Sequence, residues 1–111
     1  MNTVFVVKNS AFQFMVAPNE LKMNWVSAIF KAEKVKRIDI TNDLSILYSS
    51  DINNNITYRI KIENFQGNIN GSFIVLKNEN NILLPLDDKL ENHLIEKLKI
   101  SKVKLTVKTT V

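Results

Sequence analysis

The chain has no cysteine, one histidine and only two glycines among its 111 residues. Cysteine and histidine supply most nucleophiles, proton shuttles and transition-metal ligands near neutral pH, because their pKa values lie close to 7. Glycine supplies the tight loops in which backbone amides wrap a phosphate. A chain short of all three has little equipment for chemistry, so it is expected to be a non-enzyme without cofactor or metal. Arginine is scarce too, with two against thirteen lysines. Lys, Asn and Ile together exceed a third of the chain, and all three have codons rich in A and T, which points to an AT-rich genome. The absence of cysteine fits a reducing interior. No stretch approaches the ~20 apolar residues that span a bilayer, and no basic, apolar leader opens the chain. A cytoplasmic protein without membrane contact is the expectation.

What is present bounds the fold. The length matches one domain, residues 1–111, and 45% hydrophobic with 23% charged residues suits a packed core. Thr3 to Lys8 and Ala11 to Val16 are rich in Val and Phe and read as strands broken at Asn9-Ser10. Pro18-Asn19 opens a helix to about Lys34, with Asn19 as its cap. Strands are expected at Val35 to Thr41, Leu44 to Ser49, Ile56 to Ile62 and Ser72 to Lys77. The polar stretch from Glu63 to Gly71 reads as an irregular loop. A second helix runs from Asp88, as cap, to about Lys99, and Ser101 to Thr109 reads as a final strand. Short connections imply hairpins. The expected class is therefore α+β: a mainly antiparallel sheet of about five to seven strands with two helices packed on it.

Candidate chemical motifs mostly dissolve on inspection. Asp51-Ile52-Asn53-Asn54-Asn55 starts like a calcium loop, but Ile56 replaces its turn glycine and Ile62 its bidentate glutamate. A hairpin turn fits better. His93 is a lone imidazole on a helix surface, and Asp87-Asp88 stands where a helix start favours carboxylates. Gly67 to Gly71 lacks the Gly-Lys-Ser/Thr end of a phosphate loop.

Two surfaces remain. On the first helix Leu21, Trp25, Ala28, Ile29 and Ala32 form one apolar stripe and Met23, Val26 and Phe30 another. If the larger stripe faces the core, the smaller one is covered either by another element of the chain, such as the N-terminal strands, or by a protein partner or a second copy. In the strands, Ile56, Tyr58, Ile60 and Ile62 alternate with Thr57, Arg59 and Lys61, and Val103, Leu105 and Val107 alternate with Lys102, Lys104, Thr106 and Lys108. Apolar faces inward, the sheet would carry Arg59, Lys61, Lys102, Lys104 and Lys108 outward. With a net charge of +4, that face could follow a phosphate backbone, although solvent faces of strands carry lysine anyway and Tyr58 falls on the wrong side to stack bases. The leading expectation is a small accessory, inhibitor or adaptor protein, of the kind viruses and mobile elements carry. It binds a larger protein through Met23, Val26 and Phe30. The alternative is a nucleic-acid-binding module using the lysine-rich face.

Overall fold

The computed structural model describes residues 2–8, 10–31, 34–49 and 56–103. β1 (Thr3–Lys8) and β2 (Ala11–Val16) form a hairpin, with Ser10 in the left-handed region at φ 66°. A short helix α1 (Met23–Phe30) follows, then β3 (Val35–Asp39), β4 (Leu44–Ser49), β5 (Thr57–Ile62), β6 (Phe65–Asn70), β7 (Phe73–Glu79) and β8 (Ile82–Leu84). Helix α2 (Asp88–Lys97) and β9 (Lys99–Val103) complete the described chain. The α+β class and the antiparallel pairing are as expected from sequence. The strands divide between two sheets, however: a larger one ordered β2-β1-β7-β4-β3, with β8 on the end of β7, and a smaller one ordered β6-β5-β9.

The larger sheet is buried on both faces, which explains its near-continuous apolar strands. Along β7, Phe73 and Val75 point to one side and Ile74 and Leu76 to the other, and all four are buried. Register carries the alternation to neighbours: Val75 stands opposite Phe5 and Ile46, Ile74 opposite Val6 and Leu47. On the first face lies the smaller sheet, whose Tyr58, Ile60, Ile62 and Ile69 interleave with Val7, Ile46 and Phe73, together with α2 through Leu90, Leu94 and Leu98. On the second face lies α1. The molecule is layered helix, sheet, then sheet with helix.

β6 is the main departure from the sequence reading. Phe65-Gln66-Gly67-Asn68-Ile69-Asn70 has poor strand propensity, yet it pairs with β5 along its whole length. Pairing wins because Phe65 and Ile69 fall opposite Ile62 and Tyr58, on the core face. Gly67 makes room between them. A side chain there would begin 3.0 Å from the ring of Phe65, which lies over the strand.

Both helices are shorter than expected. α1 starts at Met23, with Lys22 at its cap position and no side-chain cap bond. Asn19 bonds instead to the side chain of Asn2. The helix stops at Lys31, where φ is 51°, and Lys8 Nζ donates to the freed Ile29 carbonyl at 2.9 Å. α2 is capped by Asp87 rather than Asp88: the Asp87 carboxylate accepts the Leu90 N–H at 2.8 Å. The Glu91 carboxylate accepts the Thr3 hydroxyl and ties α2 to β1. The segment before α2 is bound the same way, by Leu86 N–H to Thr3 O and Thr3 N–H to Leu86 O.

Candidate functional site

The helix surface expected to meet a partner is mostly interior. Val26 and Phe30 are 2% and 8% exposed, packed among Val4, Val6, Ala17, Leu47, Ile74 and Leu76. Leu21, Trp25 and Ile29 are half-buried beside them. Only Met23 stays open. Met23, Val26 and Phe30 thus do not form a free face together. At 100° per residue Val26 and Ile29 stand only about 60° apart, so the two stripes merge into one broad arc facing the sheet. Met23 lies at its rim. Ala28 is exposed, and Ala32 lies outside the described residues.

The expected basic face is also divided. β5 pairs with β9 so that Ile60 meets Ile100, Arg59 meets Ser101 and Tyr58 meets Lys102. Directly opposed residues share a face. Arg59, Lys61 and Lys99 therefore stand on the outer side with Gln66, Asn68 and Asn70 of β6, while Lys102 belongs to the side of Tyr58. The phase of β9 is set by Leu98 and Ile100, which pack into the core. It is one residue out from the phase that Val103, Leu105 and Val107 suggest, and a one-residue slip turns every side chain over. Lys104 and Lys108 lie outside the described residues, as do residues 50–55, where the sequence predicts a hairpin turn; the flanking strands β4 and β5 belong to different sheets and do not pair with each other. Among the described residues, the lysine-rich face keeps Arg59 and Lys61 and loses Lys102.

A different surface is open. Phe12, Val16 and Ile95 are large apolar residues exposed by 47%, 65% and 64%. Phe12 and Ile95 stand at the mouth of a groove of about 270 Å³, walled on one side by Phe5, Phe12 and Phe14 and on the other by Leu94, Leu98 and Ile100. Phe5 and Phe14 are stacked at a tilt, 5.1 Å between centroids. The edge of Phe12 approaches Tyr58, whose hydroxyl accepts the Ser10 N–H at 3.1 Å. These contacts fix the aromatic wall. Among the described residues no ionisable side chain lines the groove, which suits an apolar side chain rather than a charged ligand.

The groove runs beside the outermost strand of the larger sheet. Among the described residues no strand pairs with the far side of β2. Its hydrogen-bonding groups can be located from one contact. Ala17 N–H donates to Asn2 O at 2.9 Å, so Asn2 and Ala17 form a bonded pair continuing the β1–β2 register. Bonded and non-bonded pairs alternate in antiparallel strands. Val4 with Met15, Val6 with Gln13 and Lys8 with Ala11 are then bonded, and the N–H and C=O groups of Phe12, Phe14 and Val16 point away from β1. The outward backbone groups thus belong to Phe12 and Phe14, which line the groove, and to Val16, which stands on the same face of the sheet beyond it.

Edges of sheets are usually protected by charge, proline or bulges. β3 carries Lys36, Arg37 and Asp39, and β9 carries Lys99 and Lys102. β6 has no charge but presents Gln66, Asn68 and Asn70 around a glycine. β2 has Gln13 alone among six residues, with an unbroken register.

The polar chemistry lies elsewhere. At the other end of the larger sheet Asp39 accepts bonds from Ser45 and Arg37, which hold its carboxyl below the usual range, Ser45 contributing most. Arg37 also reaches Asn81, and Lys77 pairs with Glu79 and Asp87. His93 Nε2 lies 2.8 Å from the Glu63 carboxylate, joining α2 to the β5–β6 turn. Sequence reasoning missed these partners because register brings Asp39 to Ser45 and helix docking brings His93 to Glu63. Among the described residues no three His, Asp or Glu side chains are grouped to hold a metal, and no helix is long and apolar enough to cross a membrane. No family model, curated protein or solved structure matches the chain.

Proposed function

We propose that this protein is a non-catalytic interaction domain that joins another protein by strand addition at β2. The observation that carries the reading is the coincidence, among the described residues, of an uncharged, unpaired edge with an apolar groove along the same strand. Strand addition draws affinity from backbone bonds and specificity from alternate side chains entering pockets. Phe12 and Phe14 supply both here, and Val16 extends the backbone edge. The expected partner segment is extended, with apolar residues at alternate positions. This keeps the protein-binding role expected from sequence but moves it from α1 to the opposite face of the sheet.

A displayed library of extended peptides panned against the chain tests the reading. Selected peptides should carry apolar residues at every second position, lose binding when those alternate amides are methylated, and fail against Val16→Lys. Selected peptides that are acidic, salt-sensitive and indifferent to Val16→Lys would contradict it and favour the surface around Arg59, Lys61 and Lys99.

A further inference from the structure

Resting on the strand-addition reading, we propose that the segment β2 accepts is β2 of a second copy, giving a two-fold dimer centred on Phe14. An antiparallel partner in the same sheet must place residues of one face opposite residues of the same face, so the two-fold axis passes beside a residue and not between two. Centring on Phe14 sets Phe14 against its own copy and Phe12 against Val16 at both ends. All three carry outward backbone groups, so three opposed pairs exchange two bonds each, about six in all. Centring on Gln13 or Met15 opposes only two such pairs within the strand, about four bonds. The strand is self-complementary in one register above the others.

Side chains and charge favour the same arrangement. Phe12 and Val16, exposed by 47% and 65%, cover each other across the axis on the groove face. On the other face Gln13 falls opposite Met15. Two chains of net charge +4 repel each other, and β2 lets them meet where no formal charge stands on either side. Six residues of strand run about 20 Å and cover on the order of 500 Å² per copy with their rim, against about 800 Å² per partner in a stable interface. An interface of this size is at the small end, and the dimer is expected to be a reversible one.

Sedimentation velocity across a concentration series tests this, with circular dichroism of each variant as the control for folding. The native chain should pass from monomer to dimer between low and hundreds of micromolar. Val16→Lys and Phe12→Glu, both at exposed positions, should each weaken association at least tenfold with unchanged dichroism. Mixed together, the two variants should associate several-fold more tightly than either does alone, because the Phe14 register sets position 12 of one chain against position 16 of the other. A native chain monomeric at hundreds of micromolar overturns the proposal, as does a dimer indifferent to both substitutions or an absence of recovery on mixing. Peptides captured at β2 by a chain that stays monomeric would leave the strand-addition reading standing and remove the second copy as its occupant.

Discussion

Two apolar patches of this protein invite opposite treatment. Met23, Val26 and Phe30 stand on a helix in a pattern that resembles a surface left for a partner. Phe12, Phe14 and Val16 stand in a strand that resembles ordinary core. The structure reverses them: Val26 and Phe30 close one face of the larger sheet, while β2 runs along its unprotected margin with Phe12 and Val16 in solvent. Exposure is decided by where an element ends up in the sheet order, and its own hydrophobic pattern does not contain that information.

The comparison can be broken most forcefully at Phe30. Phe30→Asp places an uncompensated carboxylate among Val4, Leu47 and Ile74, and an effect of about 4 kcal/mol or more is expected, enough to unfold many domains of this size. Met23→Asp, on the same helix, should leave the urea midpoint nearly unchanged. If Phe30→Asp were tolerated and abolished association instead, the helix would be the interface after all.

A smaller effect belongs to the α2 cap. Asp87→Ala should cost about 1 kcal/mol in urea unfolding, the usual worth of such a cap. The bond from Leu90 N–H, with Lys77 nearby, lowers the Asp87 pKa from its ordinary value of 3.8. A carboxylate lowered on folding stabilises the fold above its unfolded pKa and loses that contribution as pH falls through the folded value. The gap between native chain and variant should therefore be constant above about pH 5 and shrink below about pH 4. A gap that persisted undiminished in acid would mean the aspartate acts through packing.

Smallest in stability should be Val16→Lys, within about 0.5 kcal/mol of the native chain because the side chain is mostly in solvent. Its effect falls on association alone. A large loss of stability would show that β2 is covered within the chain, and the contrast between the patches would disappear. Charge separates the remaining alternative. Oligonucleotide binding through Arg59, Lys61 and Lys99 would fall steeply between 50 and 200 mM salt, whereas strand addition at an uncharged edge should change little.

The elements were largely legible because local patterns announce them. Runs rich in Val and Phe flanked by turn residues announced β1, β2 and β7, the Leu, Ile and Tyr of Leu44 to Ser49 announced β4, and an acidic helix start announced α2. β6 was not legible, because its strand exists only by pairing with β5 and by Phe65 lying over Gly67. The phase of β9 was misread because two overlapping alternations compete there, and Ile100 against Ile60 decides between them. The candidate site was least legible of all. Phe12, Phe14 and Val16 make an edge only because β7, and not β2, pairs with the inner side of β1, and the groove needs Leu94 and Ile95 brought alongside by α2. Both are consequences of sheet order, which hydrophobic periodicity does not encode.

The most direct test of the account is amide hydrogen exchange by NMR at two protein concentrations. The amides of Phe12, Phe14 and Val16 should exchange rapidly in dilute protein and become protected in concentrated protein, while those of Val4 and Val75 stay protected in both. Protection of the three β2 amides already present in dilute protein would contradict the claim that this edge is the open, strand-accepting surface, and rapid exchange at both concentrations would contradict its pairing with a second copy.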